Sequence, residues 1–199
     1  MSSLVVVENV SLDGVMQSPG RPDEDTRGGF AHGGWAASAL AADPVAARAS
    51  MDGDGTTGGL VLGRRTYLDL LGHWTSTPEP NPFVDILLQT PKHVASGTLT
   101  EPLPYPATTL LGDDPVEGVR RLKTEGAGVG DLVVLGSAQL VHALAAADLV
   151  DVYVLTVVPV VLGSGTRLFE GHHTELDVVR TVTSPTGIVV GTYAVRRRG

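Results

Sequence analysis

The chain has no cysteine. That excludes disulfides and thiolate metal sites and fits a reducing compartment. It also lacks long apolar runs. None approaches the roughly 20 residues that span a bilayer, and MSSLVVVENVSLDG has neither the basic front nor the apolar length of a secretory signal. These absences describe a soluble, cytoplasmic protein with no membrane partner. A basic face is missing as well: the formal net charge is −8, which argues against nucleic acid. The one dense basic cluster, Arg196, Arg197 and Arg198, reads as a solvated strand end. The histidines lack ligand spacing, so no metal site is expected. No serine sits in a nucleophile elbow, and no strand-to-helix turn carries G-x-G-x-x-G.

What is present is an alternation of strands and helices. A length of 199 residues favours one domain, 1–199, able to bury roughly 70% of its unfolded surface. SLVVVENV (3–10), GGLVLG (58–63), PKHVAS (91–96), ATTLLG (107–112), DLVVLG (131–136) and VDVYVLTVVPVV (150–161, stopped by Pro159) read as strands. The segment 36–52 is alanine-rich and helical, with Asp43-Pro44 placed to cap a second piece. RRTYLDLL, PFVDILLQ, 113–126 (Asp cap to Gly126) and 137–149 read as helices. TELDVVRTVTS (174–184) and GIVVGTYAVRRR (187–198) form a terminal hairpin around PTG. The pattern predicts an α/β fold with a mainly parallel eight-stranded sheet, four or so flanking helices and a C-terminal antiparallel hairpin. The loop 11–35 is longer than compact domains tolerate without a function. It suits a lid, with Gly28, Gly29, Gly33 and Gly34 as pivots.

Two junctions, LVLGRRT and LVVLGSAQLV, share one design: apolar strand, glycine, polar helix start. A helix N-terminus offers free N–H groups and partial positive charge, and glycine lets an anion come close. Together these make a phosphate site. Arg64 and Arg65 could grip a 2′-phosphate in bidentate fashion, Ser137 with the amides after Gly136 suits a pyrophosphate, and Ser96 suits an adenosine. Structural punctuation explains either junction alone. The pair, with arginines on one, favours an anionic ligand.

The segments SLDGVM, FAHGGW, LVLGRRTYLDL, PKHVAS, DLVVLGSAQLV and VYVLTVVPVVLGSGTRLF, in that order across 3–197, resemble the stand-alone bacterial dihydrofolate-reductase-like proteins. These are related to the C-terminal reductase domain of the riboflavin-biosynthesis deaminase–reductase. The resemblance implies the dihydrofolate reductase-like fold, NADPH as hydride donor and a homodimer. The implied activity is reduction of a pterin- or aminopyrimidine-like heterocycle, as by the 5-amino-6-(5-phosphoribosylamino)uracil reductases. By position it assigns Gly63, Arg64, Arg65 and Thr66 to one phosphate turn and Gly136, Ser137, Ala138, Gln139 and Leu140 to the other. Ser96 falls to the adenosine side, Val15 and Met16 to the nicotinamide, and Asp13 and Trp35 to the substrate cleft. GRRTYLDLLGHW lacks the acidic-proline segment and the arginine that serve the ribose phosphate in the riboflavin reductases. The counterpart of the pterin-pairing carboxylate of dihydrofolate reductases is Asp43, which Pro44 follows.

Hydride transfer asks the protein for alignment and dryness. The proton comes from Asp13 or from an ordered water. Plain structural readings stand beside these. SLDG is a good turn sequence, Met16 is a usual core filler, and Trp35 could staple a helix start. The alternatives to a reductase are a nucleotide-binding protein of the same fold without turnover, and a dihydrofolate reductase.

Overall fold

The computed structural model describes residues 2–51, 56–76, 82–125 and 130–197. The expectations for Arg198, Gly126 and most of the proline-rich loop after Thr75 lie outside them. Eight strands form one mixed sheet in the order β4-β3-β2-β5-β1-β6-β8-β7. The strands are β1 (Leu4–Ser11), β2 (Thr57–Gly63), β3 (Lys92–Ala95), β4 (Thr108–Leu110), β5 (Asp131–Leu135), β6 (Val152–Val158), β7 (Leu176–Thr183) and β8 (Val189–Val195). Among the described residues there are six α-helices, each on a segment that reads as helical in the sequence, although the expected total was four or so. They are α1 (Ala37–Ala41), α2 (Pro44–Met51), α3 (Arg64–Thr75), α4 (Pro82–Gln89), α5 (Pro115–Glu125) and α6 (Ala138–Ala146). None of the described helices is long and apolar enough to cross a membrane.

The chain divides into two compact units, Met1–Leu4 with Gly55–Leu149, and Val5–Asp54 with Val150–Gly199. In the first, β2 pairs in parallel with β3 on one side and β5 on the other, and β3 pairs in parallel with β4. Strand β2 is buried from Gly58 to Leu62, as a parallel strand covered on both faces requires. Tyr67 and Leu71, one turn apart on α3, join Leu87 of α4 against Leu60, Leu62 and Val94. The Tyr67 hydroxyl accepts from the Tyr105 amide at 3.2 Å and donates to Thr108 Oγ1 at 3.3 Å, which satisfies a buried phenol.

Lys92 takes an inward position on β3, two residues before Val94, and is fully buried. Its Nζ donates to the carbonyls of Leu87, Leu88 and Thr90 at 2.8, 3.0 and 2.7 Å. The ammonium thus satisfies oxygens that the end of α4 leaves orphaned. Burial pushes its pKa below the usual lysine value.

In the second unit β1 and β6 are parallel, while β6–β8 and β8–β7 are antiparallel. The terminal hairpin is therefore where the sequence placed it. Helix α2 lays Ala46 and Ala49 on Val154, Ile188 and Val190. The alanine-rich segment breaks at Asp43, whose Oδ1 accepts the Ala46 N–H at 2.9 Å. That is an N-cap followed by proline at the first helical position.

The long loop is tied down. Val15 bridges to Arg167, Met16 N donates to Thr166 O at 2.9 Å, and Leu168 N donates to Gly14 O at 2.9 Å. The Gln17 amide donates to the carbonyls of Asp25 and Arg27 at 3.1 and 3.0 Å and accepts the Thr166 N–H at 3.0 Å. The expected pivots divide. Gly28 and Gly29 have positive φ with open space around them, whereas a Cβ on Gly33 would lie 2.5 Å from the Pro22 carbonyl oxygen. Gly33 is there for close packing.

Candidate functional site

The two glycine junctions meet within the first unit. Gly63 ends β2 opposite Ala95 of β3, so Ser96 lies beside the β2 turn. The Gly63 N–H donates to Ser137 Oγ at 2.8 Å, and Ser137 Oγ donates to Thr66 Oγ1 at 2.8 Å. Gly136 and Ser137 both have left-handed backbone, with φ of 58° and 64°. A Cβ on Gly136 would stand 3.0 Å from Thr66 Cγ2, and one on Gly63 would stand 2.9 Å from Ser137 Oγ. At Gly136 the positive φ and the near Thr66 methyl favour glycine, and at Gly63 a Cβ would press on the Ser137 hydroxyl.

Helices α3 and α6 begin here without side-chain caps. The amides of Leu140 and Val141 donate to the Ser137 carbonyl. The first-turn N–H groups of Arg64, Arg65 and Thr66, and those of Ala138 and Gln139, have no acceptor among the described residues. Arg64 is half-buried and Arg65 exposed, and neither enters an ion pair among the described residues. Paired helix starts, two bare cations and two glycines that leave no side chain over the amides fit the phosphates of a dinucleotide. Leu140 is buried, so that position contributes packing. The Ser96 hydroxyl accepts the N–H groups of Thr98 and Leu99 at 3.2 and 2.9 Å, which fixes the turn leaving β3.

The residues expected near substrate and nicotinamide lie in the second unit. Asp13 is fully engaged. Its carboxylate accepts the N–H groups of Leu162 and Gly163 at 3.1 and 2.8 Å and the Ser11 hydroxyl at 2.7 Å. Arg167 stands 3.7 Å away and donates from Nε to the Asp13 carbonyl at 3.0 Å. The Leu162 amide above all, then the Ser11 hydroxyl, pulls the Asp13 pKa down to about 2. A carboxylate held so low has no proton to give at neutral pH, so of the two expected proton sources, Asp13 and an ordered water, the water fits this geometry better. It clamps the SLDG turn to LGSG, so two of the sequence's most recognisable motifs are halves of one structure.

Of the two places the sequence offered Asp43, the structure shows the helix cap. It is 2% exposed, caps α2, and accepts the Thr186 hydroxyl in the β7–β8 turn. Hydrogen bonds from Ser184 and Thr186 hold its pKa below the usual carboxylate value. Val15 and Met16 are 0% and 5% exposed. Trp35 is half-buried and donates from Nε1 to the Gln17 carbonyl at 2.8 Å, the stapling reading. Gln17, which follows the recognisable SLDGVM, had no local signal. Its partner Thr166 is 149 residues away.

Strand order, parallel half-sheet and antiparallel hairpin define an α/β protein of the dihydrofolate-reductase-like class. Within that class the chain belongs to the RibD C-terminal domain family, whose model matches residues 3–190. No curated protein matches it. Among solved structures it is similar to a protein from Shewanella sp. PV-4 described as a riboflavin biosynthesis protein (TM-score 0.64, 23% identity, 99% of this chain and 100% of that one). It is also similar to a pyrimidine reductase-like protein from Corynebacterium diphtheriae (0.58, 13%, 99% and 93%). A third neighbour is RibD from Acinetobacter baumannii (0.60, 12%), where 99% of this chain spans 59% of the longer protein. At these identities the likeness is one of fold.

Proposed function

We propose that this chain is a cytoplasmic, NADPH-dependent reductase of a small pterin- or aminopyrimidine-like heterocycle, of the riboflavin-biosynthesis reductase type. The observation that carries the reading is the meeting of the two uncapped helix starts through Ser137, with Arg64 and Arg65 beside them in no ion pair among the described residues. The amides of 64–66 and 138–139 would hold the cofactor's phosphates, Arg64 and Arg65 would select the 2′-phosphate, and Ser96 would shape the adenosine side. NADPH, when bound, supplies the hydride. The proton comes from solvent, because Asp13 and Asp43 are both ionised and committed.

That commitment also favours a second reading: a protein of the same fold that binds the dinucleotide without turnover. A dihydrofolate reductase receives no support, since Asp43 serves as a helix cap. Fluorescence titration tests the cofactor assignment. NADPH should bind at least tenfold tighter than NADH, and Arg64→Ala or Arg65→Ala should narrow the gap. Equal affinity for the two sinks the 2′-phosphate role. A screen of pterins, folates, aminouracils and quinazolines for NADPH oxidation separates reductase from silent binder.

We also propose a homodimer. Val178 and Val179 are 65% and 56% exposed on β7, the last strand of the sheet, between Asp177 and Arg180. Light scattering should give twice the chain mass, and Val178→Glu with Val179→Glu should halve it.

A further inference from the structure

The hydroxyl groups at the meeting of the two turns form a chain with a direction. Ser137 Oγ accepts from the Gly63 amide, which has only a proton to offer, and then donates its own proton to Thr66 Oγ1. Thr66, having accepted, is left with one hydroxyl proton. Thr75 and Thr90 each donate to the carbonyl four residues back in the helix, at 2.6 and 2.7 Å. Thr66 makes no such bond among the described residues. It stands in the first turn of α3, half-buried, beside the open amides of Arg64 and Arg65. Hydrogen bonds in such a series polarise one another, so the last donor is stronger than an isolated hydroxyl.

We propose that Ser137 is a positioning residue rather than a ligand contact. Its hydroxyl latches the α6 turn to the β2–α3 turn and orients Thr66 as a one-way donor toward an anionic oxygen between the two helix starts. The proposal rests on the reading of these turns as a phosphate site and goes further by assigning separate work to the two hydroxyls. The turn after Gly136 then presents an anion with only the backbone amides of Ala138 and Gln139. The left-handed backbone of Ser137, with φ 64° and ψ 54°, belongs to the same device. A non-glycine residue keeps that conformation only where its surroundings hold it, and here the hydroxyl's two partners do so.

The test is a double-variant cycle read by NADPH affinity. Thr66→Val should weaken binding about tenfold or more, as loss of a hydrogen bond to a charged group does, while Thr66→Ser should keep it. Ser137→Ala should weaken binding by a similar factor, and the double variant no further than Thr66→Val alone. A general loosening would give losses that multiply, and a direct Ser137 contact would do the same; either outcome overturns the latch. Unchanged affinity in Ser137→Ala overturns it too. If wild-type protein binds no pyridine dinucleotide, the cofactor reading fails. The latch is then judged by amide NMR with inorganic pyrophosphate as probe. Shifts at residues 66, 138 and 139 that vanish in Ser137→Ala support it, and wild-type shifts that persist in the variant or never occur overturn it.

Discussion

Val61 stands opposite Val134 in the parallel ladder between β2 and β5. Two residues further along each strand lie Gly63 and Gly136. Equal strand advance therefore delivers both glycines to the same level of the sheet edge, and the hydroxyl of Ser137 closes the remaining gap. Parallel register, a property of the apolar strands, thus sets the spacing of a polar site. Ligand sites of open α/β sheets lie beyond the carboxyl ends of strands for this reason.

Gly136→Ala should be destabilising by about 1–3 kcal/mol, since alanine is strained at positive φ and its Cβ would press on Thr66. Urea unfolding measures this. NADPH affinity should fall with it, because the displaced Thr66 is the proposed donor. A variant of unchanged stability would show that the turn relaxes freely.

Asp13→Asn should change how the protein responds to acid. The folded pKa of about 2 lies below the unfolded value near 4. On acidification the unfolded chain takes up the proton first. The contribution of Asp13 to stability is therefore complete above about pH 4 and is lost as the pH falls toward 2. The difference in melting temperature between wild type and Asp13→Asn should be constant at neutral pH and shrink through that window. The shape of the pH–rate profile near neutrality should not change, since the carboxylate gives no proton.

Lys92→Met should cost about 3 kcal/mol in chemical denaturation, because three peptide oxygens lose their partner at once inside an apolar layer. Lys92→Arg should also destabilise, since a guanidinium does not fit a site shaped for a compact ammonium. NADPH affinity, corrected for the folded fraction, should change little.

Asp43→Ala should lower the melting temperature by about 2–6 °C through loss of the α2 cap. Its effect on NADPH binding and on turnover of any accepted heterocycle should be nil. A selective loss of turnover would return Asp43 to the substrate site.

The contrast among these residues marks what a sequence can disclose. The strand-to-helix junctions were legible because an apolar run, a glycine and a polar start are local signals. So was the break at Asp43-Pro44, where cap and proline are adjacent. The hairpin was legible from alternation around PTG. The loop 11–35 read as a mobile cover because its order depends on partners far along the chain, with Gln17 holding Thr166 and Asp13 holding Leu162 and Gly163. Asp13 looked like an acid because its residue type is visible and the three donors to its carboxylate are not. Lys92, between Pro91 and His93, gave no hint of burial, since nothing in its neighbours announces three convergent carbonyls.

The enclosure of Lys92 also gives the chain an internal reporter. The sequence holds only two lysines, Lys92 and Lys123. An amine-modifying reagent meets Lys92 only when α4 lifts from β3, so its acylation rate clocks that opening in a molecule that is otherwise native. Lys123, nearer the surface, supplies the reference rate, and peptide mass mapping of one digest yields both.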